Sequence, residues 1–227
     1  MGTSTVVALI GETIAAGSPG PTLVLDQCGS RWGSLARRLL GQRAGLSGER
    51  AHAMLRQGIP AVQVYASAPA TSAGAAVVTD GAAYTPTAEM FRLAHTACGA
   101  TVIDGGSVDL TVAVRLDLSP VVVLVGRADV IGAEAVCAAL GFLSRYTRAR
   151  PVVVLSSPTA ANQRRVHAAR KLVATTGVAH LVSLPFDARL TAATPLRLDQ
   201  VGKTTASACL RMVTGIGQTQ EVLGYVR

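Results

Sequence analysis

The 227 residues suffice for one domain, or at most one and a half. Hydrophobic residues make up 49% and charged residues only 15%, which provides a sizeable core and excludes an intrinsically disordered chain. Lys and Arg number 21 against 13 acids, a formal charge of +8, and all the cations except Lys171 and Lys203 are arginines.

Thr3 to Ala16 places Val6, Val7, Ile10 and Ile14 at helical spacing and predicts a first helix. Pro21-Thr-Leu-Val-Leu-Asp26 is continuously apolar until its last residue, the pattern of a strand buried on both faces of a parallel sheet. Ser34 to Leu40 reads as a short basic helix, and Ala61-Val-Gln-Val-Tyr-Ala66 as a weaker strand. Ser67 to Ala83, rich in Ala, Ser, Thr and Gly, reads as a loop. Pro86 to Cys98 is expected to be helical, opened by Thr85-Pro86-Thr87 with Glu89 near the positive helix end.

Three further buried strands are expected at Ala100-Thr-Val-Ile-Asp104, Pro120-Val-Val-Val-Leu-Val-Gly126 and Pro151-Val-Val-Val-Leu-Ser156. Asp129 to Ser144, small and apolar throughout, predicts a covered helix. Ala160 to Thr175 predicts one with Arg164, Arg165, Arg170 and Lys171 on an exposed side. A strand at His180-Leu-Val-Ser-Leu-Pro185 and a helix from Thr204 to Thr214 close the set. Strands alternating with helices predict a three-layer α/β/α sandwich with a mainly parallel sheet, in a single domain over residues 1–227. Aromatics at 4% fit that architecture better than an aromatic-rich β-sandwich.

Cys28, Cys98, Cys137 and Cys209 form no C-x-x-C pair, so reduced thiols in a cytoplasmic protein are expected rather than a metal cluster or disulfide scaffold. No apolar run reaches the ~18–20 residues of a membrane span. A secretory signal is not expected, because no cation precedes the first apolar stretch and Glu12 interrupts it.

In doubly wound sheets chemistry gathers at the carboxyl ends of strands, and two predicted strands end there in Asp26 and Asp104. Gly202-Lys203-Thr204-Thr205 imitates the tail of a phosphate-binding loop. The complete motif needs a glycine where Arg197 stands, and a buried strand before it, so Lys203 and Thr204 are expected to begin the last helix. His52, His95, His167 and His180 have no metal-ligand spacing, and no G-x-S-x-G elbow or G-x-G-x-x-G turn is present.

The order of these segments resembles the MinD/ParA group of deviant P-loop ATPases. Gly2-Thr3-Ser4-Thr5 stands where the family's G-K-[ST]-T turn opens the first helix. Leu23-Val-Leu-Asp26-Gln27-Cys28 is similar to its V-L-L-V-D-x-D strand, followed by the Leu-rich helix of Gly33 to Leu40. Val102-Ile103-Asp104-Gly105-Gly106 is similar to the Walker B strand. Val182-Ser-Leu-Pro185-Phe186-Asp187, followed by Ala192-Ala-Thr-Pro195-Leu196, is similar to the segment flanking adenine.

The resemblance implies ATP and Mg²⁺ as cofactors, with Gly2, Thr3, Ser4, Thr5, Asp26, Asp104, Pro185 and Asp187 as nucleotide-site residues and Ser4 and Asp104 toward the metal. It also implies a homodimer. The departures imply weak binding at most. Thr3 replaces the phosphate lysine, Cys28 replaces the second aspartate, and the first strand and the start of the loop are expected to be missing. The expectation is a degenerate or N-terminally truncated relative with at most weak ATPase activity, positioning a plasmid, a chromosome region, or a secretion, pilus or conjugation apparatus. The alternatives are an active ATPase whose loop is completed by residues outside this chain, and a nucleotide-free protein-interaction module.

Charge adds a further expectation. Residues 31–56 carry Arg31, Arg37, Arg38, Arg43, Arg50 and Arg56 against Glu49 alone. Residues 145–171 carry six arginines and Lys171 with no acid. Such blocks attract polyanions, and the scarcity of aromatics in them favours phosphate contact over base stacking. Non-specific duplex DNA is therefore the expected nucleic-acid partner, through Arg37, Arg38, Arg164, Arg165, Arg170 and Lys171, in line with what the resemblance implies.

Overall fold

Continuous β-branched runs favour strands covered on both faces, and the computed structural model covers those at Thr22–Asp26 and Val152–Ser156 in this way, whereas those at Ala100–Asp104 and Val123–Arg127 are mostly half-buried. It describes residues 2–27, 35–79, 94–106, 121–145, 151–157, 159–160, 163–191 and 195–222. The chain divides into two compact units, one of residues 4–107 and 192–200, the other of residues 1–3, 108–191 and 201–227.

The first unit is built on a four-stranded parallel sheet. Its strands are β1 (Thr22–Asp26), β2 (Leu46–Ser47), β3 (Ala76–Thr79) and β4 (Ala100–Asp104), in the order β2-β3-β1-β4. Every residue of β1 is buried, because it has a strand on either side and helices to cover its faces. Helix α1 (Thr3–Gly17) is buried continuously from Thr5 to Glu12, as expected of a helix apolar on all sides. Fully buried Glu12 accepts a hydrogen bond from the Ser72 hydroxyl at 2.8 Å. Helices α2 (Leu35–Leu40), α3 (Gly48–Arg56) and α4 (Ala61–Ala66) complete the described part of this unit, with a helical turn at 94–97. Leu23, Leu25, Val64, Tyr65, Val78 and Cys98 belong to one core cluster.

Two expectations fail here. Ala61–Ala66 is helical, not extended. The N–H groups of Gln63 and Val64 both turn back to the Pro60 carbonyl, and the buried pair is the adjacent Val64 and Tyr65 rather than alternate residues. The expected loop of Ser67 to Ala83 contains β3, where Val77 and Val78 are buried between β1 and β2. Two elements had no sequence expectation, β2 and α3. Ser47 caps α3 by accepting from the Arg50 N–H at 3.2 Å. Most of the expected helix from Pro86 to Cys98, and Cys28 and Gly33, lie outside the described residues.

The second unit carries a three-stranded parallel sheet of β5 (Val123–Arg127), β6 (Val152–Ser156) and β7 (His180–Leu184), in chain order. The central β6 is buried throughout. Helix α5 (Val130–Leu143) starts at Asp129, whose carboxylate accepts from the Gly132 N–H at 2.8 Å, and it packs against α6 (Gln163–Ala174). The long α7 (Lys203–Val222) packs on β6 and β7 and runs well past the expected end at Thr214. Leu124, Val136, Leu143, Val153, Leu155 and Val173 form the core between α5, α6 and the strands.

Candidate nucleotide site and basic surfaces

The parallel register of β1 and β4 sets Asp26 beside Asp104 at the carboxyl end of the sheet. Both are almost wholly buried, at 2% and 0% exposure. Asp104 Oδ2 accepts from the Ser4 hydroxyl in the first turn of α1 at 2.7 Å, and its Oδ1 accepts from the Gly106 N–H at 3.2 Å. Gly106 has φ 74°, the left-handed region that glycine enters without penalty, and this lets the chain curl back over the carboxylate. The Gln27 N–H donates to the Asp104 carbonyl at 3.2 Å, which ties the two strand ends together. Asp26 Oδ2 faces the Ala36 N–H of α2 at 3.4 Å. The arrangement is a hydroxyl and two carboxylates converging where parallel strands meet a helix start.

The remaining expected site residues occupy varied places. Gly2 is exposed ahead of α1, and Thr3 is the first residue of that helix, which has no acid in its first turn. Thr5 is 1% exposed, and its hydroxyl has no hydrogen-bond partner among the described residues. Pro185 and Asp187 belong to the second unit, directly after β7.

Asp187 there closes a turn. It accepts from the Gly202 N–H at 2.7 Å, the Thr205 hydroxyl at 3.0 Å and the Arg189 N–H at 3.1 Å. Burial pushes its carboxyl upward, but those hydrogen bonds and the nearby Arg189 guanidinium outweigh it and hold the group below its ordinary value. Asp187 thus braces the start of α7 through the Gly202 N–H and the Thr205 hydroxyl, a contact that the sequence reading did not foresee. Lys203 opens α7 as expected and is exposed, and the Gly202 amide is taken by a carboxylate instead of cradling phosphate.

The expected nucleic-acid residues do not form a uniform face. Arg37 is exposed on α2, whereas Arg38 is half-buried and burial lowers its pKa from the ordinary value. Arg164 and Arg165 are exposed in the first turn of α6. Arg170 and Lys171 instead line a groove along α6 and β7.

Mostly parallel sheets with helices on both sides, and a serine–aspartate pair at the strand ends, define a P-loop NTPase-like α/β fold. The chain is similar in structure to a chain of the MinC:MinD cell division protein complex of Aquifex aeolicus, with a TM-score of 0.67 and 14% identity over 95% of this chain and 90% of the other. It is similar also to the ParA family ATPase of Chlorobium tepidum TLS, with a TM-score of 0.63 and 13% identity over 93% and 92% of the two chains. No protein-family profile and no curated protein matches the sequence. At this identity the likeness establishes the MinD/ParA-type fold. Among the described residues no helix is long and apolar enough to cross a membrane.

Proposed function

We propose that this chain is a MinD/ParA-like positioning or partitioning protein whose nucleotide site has degenerated. The observation that carries the reading is the Ser4–Asp104 pair, 2.7 Å apart at the end of β4. A P-loop hydroxyl and a Walker B aspartate are the groups that hold Mg²⁺ in P-loop NTPases, directly or through water. The donor set fits the ion: the Ser4 hydroxyl and the buried carboxylate of Asp104, with the buried Asp26 beside it on the neighbouring strand. Ser4 and Asp104 would hold Mg²⁺, and the ion when bound would neutralise phosphate charge. The residues fit the triphosphate less well, because Thr3 offers no cation where the motif has lysine.

Mg-ATP should therefore bind no tighter than about millimolar in titration calorimetry, which corresponds to roughly 4 kcal/mol. Asp104→Ala should weaken what binding there is, and Thr3→Lys should strengthen it. Micromolar affinity of the unaltered chain would overturn the degenerate reading.

The fold and the two arginine-rich blocks support non-specific duplex DNA as a partner, with a protein cargo and a homodimer as further features of such proteins. Arg164 and Arg165, exposed together on α6, are the residues best placed for phosphate contact. Their reversal to Glu should weaken binding and flatten the slope of log affinity against log salt by about 0.9 for each phosphate no longer neutralised. An unchanged slope would remove these residues from the interface.

A second reading is an active ATPase completed from outside this chain. It is supported by the open edge of β4, which is paired on one side only among the described residues. A strand with N–H and C=O groups to satisfy would be accepted there. Micromolar nucleotide binding by the protein extended with a lysine-containing strand and loop, against none by this chain, would favour it.

A further inference from the structure

We infer that the second unit carries a docking groove for an extended acidic segment of a partner protein, which would add as a fourth strand to the outer edge of β7. This inference concerns a surface of that unit alone and does not rest on the nucleotide reading.

The groove follows from the packing. β7 pairs with β6 on one side, and among the described residues its other edge bonds to no strand. Its side chains alternate: Val182 and Leu184 are buried, while Leu181 and Ser183 line the groove. Helix α6 contributes Val166, His167, Arg170 and Lys171, spaced three and four apart along one helical face, and α7 contributes Arg211. The concavity encloses about 1070 Å³. Arg170 is laid along the strand, its Nη1 donating to the Ser183 hydroxyl at 3.4 Å.

The occupant is specified by backbone and charge. A sheet edge presents alternating N–H and C=O groups, which an extended peptide satisfies in full and a phosphate backbone, lacking donors, does not. Among the described residues the groove is lined by no Asp or Glu, and α6 and β7 contain none in their sequences. Three permanent cations thus surround an apolar floor of Val166 and Leu181. Such a field attracts carboxylates and repels a basic chain, and a second copy of this protein, at +8, is an unfavourable occupant.

The test is fluorescence anisotropy, without nucleotide, of a labelled peptide of about eight residues alternating Glu with Val and Thr. Binding in the micromolar range is expected, about tenfold weaker for Arg211→Glu and for the Arg170→Glu, Lys171→Glu pair. N-methylation of alternate residues keeps every charge and should also cost about tenfold, because it removes the donors that strand pairing requires. Circular dichroism verifies that each variant is folded, and Arg211→Ala serves where a reversal is not. Equal binding of the N-methylated peptide would overturn strand addition. Equal binding by the charge variants would place the peptide elsewhere, and full competition by short duplex DNA would make the groove a general polyanion surface. Each of those three results refutes the inference.

Discussion

Removing the Asp187 carboxylate should destabilise the second unit whether or not nucleotide is present. Three donors converge on it, the N–H groups of Gly202 and Arg189 and the hydroxyl of Thr205. Hydrogen bonds to a charged group contribute about 1.5–3 kcal/mol each. Arg189 is exposed, so water replaces the acceptor for its N–H. Thr205 is only 1% exposed, so its hydroxyl is left unsatisfied. We expect about 2–3 kcal/mol for Asp187→Ala, about 1 kcal/mol for Asp187→Asn, and a drop of roughly 5–10 °C in the melting temperature of Asp187→Ala. Thr205→Val should cost about 1 kcal/mol alone and almost nothing on top of Asp187→Ala, because the two share one interaction.

The pH dependence has a definite sign. The folded-state pKa of Asp187 is lowered, so its stabilisation is complete above the unfolded value near 4 and is lost as pH falls through the lower folded value. Urea titrations followed by far-ultraviolet circular dichroism should show the gap between wild type and Asp187→Ala at pH 7, shrinking below about pH 4. An unchanged midpoint for Asp187→Ala, or a gap undiminished at the acid end, would refute the bracing role.

Gly132→Ala should cost about 3 kcal/mol in the same assay. A Cβ there would meet the Arg127 carbonyl oxygen and lie 2.6 Å from the Arg127 Cβ, where β5 and the start of α5 touch. Met212→Ala, in a fully buried position of α7, should cost about 2–5 kcal/mol through the cavity it leaves, and a loss under about 1 kcal/mol would contradict that packing. Burial pushes the Cys98 thiol from 9.0 up to about 11, so alkylation mapped by mass spectrometry at pH 8 should label it about a hundredfold more slowly than an unperturbed thiol. That raised pKa also predicts a stability contribution that is complete below about pH 9 and lost as pH rises toward 11.

The geometry of the candidate site was partly legible in the sequence. Asp26 and Asp104 close apolar strands, so both were expected at the carboxyl end of the sheet, but that their strands are neighbours was decided by the topology. That Ser4 donates to Asp104 was reachable only through the resemblance, since residues 100 apart in sequence carry no local signal of contact. Asp187 was assigned to the adenine-flanking segment through the resemblance, and its contacts with Gly202, Arg189 and Thr205 had no local signal, because a carboxylate reads the same whether it faces a ligand or a helix start.

What the sequence determined by itself were five of the strands and most of the helices between them, since leaving an uninterrupted β-branched run in water carries a large hydrophobic cost. It also identified the false Walker tail as a helix start, because the glycine and the strand that a phosphate loop needs are missing upstream. Tertiary structure alone decided the short elements. Six residues at Ala61–Ala66 fit either period, and only the place where Val64 and Tyr65 could be buried made them helical. The four residues of β3 became a strand because β1 offered an edge to pair with. The groove on β7 likewise came into being only when folding set Arg211 of α7 and the Arg170 face of α6 on either side of one strand edge. Local pattern records which groups must leave water, and only the packed chain determines which of them meet.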